Sequence, residues 1–408
     1  MLSPFTAWST WLILALFYTY QFIQRIFPNI MMEDIINKYQ VNANEIGNFA
    51  GIYYLGYILL HIPLGIMLDY FNAKKVIPIC ILLTVLGLIP LAYTNNFQLV
   101  IYGRLLVGVG SSGATVGSFR LLRISFKEEK FPKMLGWMVM TGLIGAISSS
   151  KSLAWLISYA GWKKTINYIL LIGTLLAVLS YTIIPNIKNN KKFTFSIVLK
   201  DFKKIFANKT AIAVCLFGGL MIGPLEGFAD AWSNPYLTIV CGITNKEAGE
   251  VTQLIYIGML VGLIIMGFIF EKTKLYYELL LMSATNMLVC FVLLLNGVRS
   301  IIEIKSIFFI MGFFCSYQIL IIAKSISLVN IKRITFVSSI ANMIMMGFGY
   351  FFHRSIGILL HYSWSNSINK LSSMTNNTKV FYNALSILPC ALAIATTGFI
   401  ILIYSRKE

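Results

Sequence analysis

The sequence predicts an all-α polytopic membrane protein with twelve transmembrane helices in two pseudo-symmetric six-helix bundles. Three observations carry this. Hydrophobic residues make up 58% of the chain and charged ones 12%, with a mean hydropathy of +0.78, so most of its solvent is lipid. At about 20 residues per spanning helix plus short connections, 408 residues have room for roughly a dozen spans. The first half also recurs in the second at an offset of 202 residues, Gly65 falling on Gly267. At that offset Glu45, Gly47, Tyr54, Gly56, Ile62 and Gly65 meet identical residues, six identities over the 27 positions 45–71 without a gap. A repeat of nearly half the chain points to duplication of a half-molecule.

Each span follows from an apolar run and the residues that close it. The first, near residues 8–32, has no Lys or Arg before Arg25, so the basic start of a cleaved signal peptide is missing and a retained span is expected. Glu33 and Asp34 close it. Spans near 47–69 and 76–93 flank the turn Asp69–Lys75, where an apolar helix ends on an acid and two lysines follow. Asn72 tolerates left-handed backbone angles and is expected to supply them in this turn. The fourth span, near 97–119, ends at the basic connection Arg120–Lys133; spans near 133–157 and 164–184 meet at Gly161-Trp162-Lys163. The longest connection follows, with Lys188, Lys191, Lys192, Lys200, Lys203, Lys204 and Lys209 against Asp201 alone. It reads as a solvated basic cytoplasmic linker over 186–210, between an N-terminal bundle at 1–185 and a C-terminal bundle at 211–408. The second set of spans lies near 211–239, 250–270, 275–296, 301–323, 335–358 and 380–404.

The formal charge of +18 does not call for nucleic acid, because the basic residues lie in gaps between apolar runs, where membrane topology accounts for them. Most Lys and Arg fall on the side of the linker, which places both termini in the cytoplasm; usage heavy in Lys, Ile and Asn suggests an AT-rich bacterial genome, and so a bacterial inner membrane. The six cysteines have no paired spacing, and the three histidines, at 61, 353 and 361, are too dispersed for a metal site. No phosphate loop or nucleophile triad is present, so neither catalysis nor a cofactor is expected.

The Asp69 turn gives the chain its family likeness. Gly65, Asp69 and Lys74/Lys75, echoed by Gly267, Glu271 and Lys272/Lys274, resemble the signature of the major facilitator superfamily, Gly-x-x-x-Asp-Arg-x-Gly-Arg-Arg/Lys between helices 2 and 3. Tyr70 stands for the arginine and Asn72 for the glycine. Arg104-Leu105-Leu106-Val107-Gly108 is similar to the family's Arg-x-x-x-Gly in helix 4, and Gly161-Trp162-Lys163 to the usual start of helix 6. The resemblance implies two six-helix bundles around a cavity open alternately to either side, with Gly65, Asp69, Lys74, Lys75, Arg104, Gly267 and Glu271 in gating roles. The Gly-Pro step of drug/proton antiporters is missing between Lys133 and Ile157, which favours uptake. Physically, Gly65 would let a neighbouring helix approach and the Asp69 carboxylate would latch a basic residue or a helix N-terminus.

Charges at bilayer depth need a partner or a cavity, and these supply the candidates for solute chemistry. In span 1, Gln21, Arg25 and Pro28/Asn29 form one polar stripe at helical spacing, and Arg25 could clamp a carboxylate or phosphate bidentately. The alternative is that Arg25 snorkels to the membrane surface. In span 7, within Gly223-Pro224-Leu225-Glu226-Gly227-Phe228-Ala229-Asp230, the acids Glu226 and Asp230 share a face at i, i+4, which suits one of them to take up and release a proton. Pro224 and its flanking glycines would let the helix bend. Alternatively Asp230 serves the end of its helix and Glu226 stands alone. Tyr54, Tyr57 and His61 in span 2, Ser111, Ser112 and Thr115 in span 4, and Tyr317 and Gln318 in span 10 add polar groups that either line a cavity or join helices. Of these, Gln21, Tyr54, Tyr317 and Gln318 join Arg25 as substrate-binding candidates.

The reading is a secondary active transporter that imports a small polar nutrient, an amino acid fitting the charges best, with proton coupling and alternating access. Its partners are a small-molecule substrate, protons and the lipid bilayer, not nucleic acid. An organic-anion carrier for a sugar acid, phosphorylated sugar or carboxylate siderophore is the first alternative, and a non-transporting membrane sensor the second. The whole resembles nutrient permeases of intracellular bacteria, including phagosomal-type amino-acid importers.

Overall fold

The computed structural model describes residues 3–127, 130–186, 203, 205–298, 300–329, 334–365 and 374–405, and every regular element among them is helical. In chain order these are α1 (Pro4–Ile30), α2 (Met32–Tyr39), α3 (Ala43–Tyr70), α4 (Ala73–Tyr93), α5 (Phe97–Ser125), α6 (Phe131–Ala160) and α7 (Trp162–Ile183). After them come α8 (Lys209–Leu220), a π-helical segment (Gly223–Ala229), α9 (Ser233–Ile239), α10 (Asn245–Thr273) and α11 (Tyr276–Leu295). The last are α12 (Ile301–Cys315), α13 (Tyr317–Leu328), α14 (Ile334–Ser365), α15 (Met374–Leu385) and α16 (Ile387–Tyr404).

Among the described residues ten helical stretches are long and apolar enough to cross a membrane, against the twelve expected. The other two candidates, α1 and α6, are 27 and 30 residues long. Gln21, Gln24, Arg25 and Asn29 in α1, and Ser148, Ser149 and Ser152 in α6, dilute their apolar character. The lipid-facing nature of the exterior is visible in α7. Leu171, Ile172, Leu175 and Val178 are 54–58% exposed at helical spacing, while Ile169, Gly173, Leu176 and Ala177 are buried, the reverse of a helix on a water-facing surface.

Three predicted spans are interrupted. Span 7 breaks into α8, the π segment and α9, because Pro224 cannot donate to the carbonyl four residues back. Span 10 breaks at Ser316, whose hydroxyl donates to the Phe313 carbonyl at 2.8 Å. Span 12 breaks at Ser386, whose hydroxyl donates to the Asn383 carbonyl at 2.7 Å, just ahead of Pro389. The short helix α2 was not among the predicted elements.

The helices gather into two compact units. The first comprises Met1–Phe27, Ile52–Asp201 and Arg333–Met343. There α4 packs along α5 and α7, and Gly56 and Gly108 bring backbones together: a methyl on Gly56 would strike the Leu105 carbonyl, and one on Gly108 the Tyr53 carbonyl. Gly161, at φ 82°, makes the corner between α6 and α7 that a side chain would strain.

The second unit comprises Pro28–Gly51, Phe202–Lys332 and Ile344–Glu408. Here α10 packs along α12, α11 along α16, and α8 against α13 and α16. The repeat shows in its internal contacts. Gly258 abuts the Phe309 carbonyl and Gly312 the Ile255 carbonyl, so the backbone approach made by Gly56 and Gly108 recurs. The repeated acids are helix caps. Glu45 exchanges hydrogen bonds with Asn42 at 2.9 and 3.1 Å, and Glu247 closes a capping box with Thr244, 202 residues on.

The turn after α3 and its repeat after α10 differ from expectation in two ways. A methyl on Gly65 would meet only Val116 Cγ1, at an ordinary 3.6 Å, and one on Gly267 would meet nothing within 4 Å, so neither glycine is where helices come closest. Asn72 is not left-handed: at φ −70°, ψ 121° it caps α4, accepting from the Lys74 amide at 3.0 Å. The left-handed residue is instead Lys274, at φ 57°, ending α10. Lys74 lies with its ammonium 5.4 Å from the Tyr181 ring centre, while Lys75 and Glu271 are exposed. The Asp69 side chain and linker residues 187–202 lie outside the described residues.

Candidate functional site

The candidate residues form two groups, one in each unit. The first is organised by the proline of α1. Pro28 has no N–H for the Gln24 carbonyl, and Arg104 of α5 takes that place. Its Nη1 donates to the Gln24 carbonyl at 2.6 Å and its Nη2 to the Arg25 carbonyl at 3.0 Å. The guanidinium carbon lies 4.6 Å from the Tyr53 ring centre and 5.2 Å from that of Phe27. Arg104, a gating candidate from sequence, therefore ties α5 to the backbone of α1. Gln21 donates from Nε2 to the Tyr53 hydroxyl at 2.8 Å, and Tyr54 packs edge-on to Tyr53 at 5.3 Å. Arg25 is itself buried, 5% exposed, with its guanidinium carbon 4.5 Å from the Phe22 ring centre, so it does not snorkel out along the lipid face.

The second group is carried by the broken span 7. With Pro224 at its start, the backbone slips to longer-range bonding: the Asp230 amide donates to the Leu225 carbonyl at 3.1 Å. Gly223 and Gly227 fit against Leu388 and Phe352, where a methyl would come to 2.5 and 2.7 Å. Both acids of the segment are buried, Glu226 at 1% and Asp230 at 2% exposure. Gln318 Nε2 donates to both Glu226 oxygens, at 3.0 and 3.2 Å, and the Tyr256 hydroxyl donates to Asp230 Oδ1 at 2.7 Å.

Beyond Asp230 a polar network holds the segment's far end. Asn29 Nδ2 donates to the Ala229 carbonyl at 3.0 Å and to Ser233 Oγ at 3.2 Å, and Asn29 Oδ1 accepts from the Asn234 amide at 3.3 Å. Thr252 of α10 shares a hydrogen bond with Ser233 at 2.9 Å and donates to Asn234 Oδ1 at 2.9 Å. Tyr317, a binding candidate from sequence, is committed to structure. Its hydroxyl donates to the Gly218 carbonyl at 2.8 Å, which the break leaves available because the Ile222 amide turns to Gly219.

Structure thus pairs Gln318 with Glu226 and Gln21 with Tyr53. It adds Tyr256, whose position in the repeat opposite Tyr54 was the one signal pointing to it. Asn29 stood in the α1 stripe, but its partners lie some 200 residues away and no local pattern names them.

A lipid-facing helical chain with charged side chains buried on its spans, one of them broken at a proline, has the construction of a solute carrier. The chain belongs to the Major Facilitator Superfamily, whose sequence profile matches residues 10–352, and it is a multi-pass membrane transporter. It is 25% identical over 242 residues to the chloramphenicol resistance protein CraA of Acinetobacter baumannii, a match covering 59% of this chain and 58% of that relative. In fold it is similar to a bacterial homologue of the human lysosomal transporter Spinster in an inward-facing, unoccupied conformation. That likeness has a TM-score of 0.76 and 17% identity, and covers 98% of this chain and 97% of the other. It is also similar to a D-xylose–proton symporter, with a TM-score of 0.72 and 12% identity over 96% and 97% of the two chains.

Proposed function

We propose that this transporter is a secondary active importer of a small polar nutrient, first of all an amino acid, coupled to protons. It works by alternating access between bundles at 1–185 and 211–408, in a bacterial inner membrane with both termini and the 186–210 linker cytoplasmic. The observation that carries this reading is the burial of three ionisable side chains, Arg25 on α1, which keeps Pro28 inside it, and Glu226 and Asp230 on the span that breaks at Pro224. Buried charge in a membrane protein is costly and is kept where it serves an ion or solute path. Arg25 is assigned the substrate's carboxylate, and Glu226 or Asp230 the coupled proton. Proton symport by a protein of similar fold supports the coupling.

The second reading is an organic-anion carrier, in which Arg25 binds the anion and the span-7 acids only couple protons. It has in its favour that Gln318 and Tyr256 already engage both acids. The missing Gly-Pro step between Lys133 and Ile157 speaks against drug/proton antiport.

Thermal unfolding of the purified protein with amino acids, sugar acids and phosphorylated sugars tests the reading. A ligand at 100 times its Kd is expected to add about 2.7 kcal/mol of stability, and Arg25→Gln to abolish that gain. Stabilisation by an amino acid supports the first reading and by a non-amino organic anion the second; a response indifferent to Arg25 refutes both.

A further inference from the structure

One to two turns along α3 from the Gln21–Tyr53 pair lies a polar cluster that the proposed mechanism does not use. The Tyr57 hydroxyl donates to Thr115 Oγ1 at 2.7 Å, and Asn342 Nδ2 lies 3.4 Å from the Tyr57 hydroxyl and 3.3 Å from His61 Nε2. An amide nitrogen can only donate, so His61 Nε2 accepts and the ring proton sits on Nδ1. Among the described residues that Nδ1 has no hydrogen-bond partner, and His61 as a whole is fully buried.

Among the described residues two neutral buried groups in this row keep an unused valence. The Nδ1–H of His61 remains to be donated, and Gln21 Oε1, beside Tyr53, remains to accept. None of these groups is charged. A mixture of unmet donors and acceptors on neutral side chains matches hydroxyl groups, each of which both gives and takes a hydrogen bond. Tyr57, Thr115 and Asn342 keep 5–7% exposure, so the cluster reaches the edge of the packed interior.

The cluster also continues a row of rings that begins where Arg104 meets Tyr53 and the Arg25 backbone. Tyr53, Tyr57 and His61 follow one face of α3 with ring centres 6.3 and 5.0 Å apart, and Arg104 joins the Tyr53 ring to the Arg25 carbonyl. From Tyr53 to His61 the helix rises roughly 12 Å at 1.5 Å per residue, about the length of a six-carbon chain with an acidic end group.

We propose that Tyr57, His61, Thr115 and Asn342 form a subsite for the hydroxyl groups of the transported solute, and that the solute is a hydroxylated organic anion such as a sugar acid or phosphorylated sugar. The proposal rests on the reading that Arg25 takes the anionic group, and it deepens the second of the two readings, the organic-anion carrier. A buried donor left unmet is unfavourable, and a site built to bond hydroxyls discriminates strongly against solutes that lack them.

The test is binding to the full-length purified protein of gluconate and glucose 6-phosphate, against hexanoate and alanine. At least one hydroxylated anion is expected to bind tenfold or more tighter than hexanoate. His61→Phe and Asn342→Leu should each remove about tenfold of that preference, while His61→Gln, which keeps an N–H donor, retains part of it. Thr115→Val supplies a further, nearly isosteric variant if either larger change prevents folding. Arg25-dependent binding that does not distinguish gluconate from hexanoate, or a preference untouched by the cluster variants, overturns the subsite alone. Anion binding that ignores Arg25 removes the reading beneath it.

Discussion

Tyr256 and Gln318 decide how the two acids of span 7 are held. A hydroxyl donating to a carboxylate at 2.7 Å in a buried setting is among the stronger neutral-to-charged contacts, worth about 1.5–3 kcal/mol. Tyr256→Phe keeps the ring and deletes only that donor. It is therefore expected to lower stability by an amount in this range and to shift the pH dependence of uptake, both measurable on the purified and reconstituted protein. An unchanged pH profile would make Tyr256 a packing residue only. At this scale the sequence was a partial guide. Arg25, Glu226 and Asp230 stood out as charges inside apolar runs, and all three are buried. Their partners did not stand out, because Arg104 reaches Gln24 across 80 residues and Gln318 reaches Glu226 across 92. Such pairs are chosen by helix packing, and one sequence carries no local mark of them.

At the scale of the helix, the glycines separate into two kinds. Gly56, Gly108, Gly258 and Gly312 lie against carbonyls of a neighbouring helix, so an added methyl must push backbones apart, at a cost of typically about 1–3 kcal/mol or more. Gly65 and Gly267 have room, and alanine there gains about 0.4–1 kcal/mol by restricting the unfolded chain. Thermal unfolding of Gly56→Ala and Gly258→Ala should thus show clear losses, and Gly65→Ala and Gly267→Ala none; equal losses at all four would contradict the contacts described. The repeat marked Gly56 and Gly65 alike, since identity at offset 202 does not say which position is tight. It likewise marked Glu45 and Glu247, whose role is to cap helices. The Gly-Pro pair forecast a bend in span 7. The π-helical form of that bend depends on Phe352 and Leu388 seated against the glycines, contacts more than 120 residues away in sequence.

For the whole molecule, composition alone was enough for the class. A chain that is 58% hydrophobic, cut at regular intervals by charged turns, has few ways to satisfy its backbone in lipid other than a set of spanning helices. The count was less legible than the class. Polar residues that serve the interior of α1 also make that helix look less like a span. What the molecule does with its buried charges is the central claim, and gradient-driven uptake against counterflow in proteoliposomes measures it most directly. The solute is whichever one stabilises the purified protein, compared in wild type, Glu226→Gln and Asp230→Asn. At least one of the two variants is expected to lose proton-driven accumulation while counterflow continues. Accumulation at the wild-type level in both variants would contradict it.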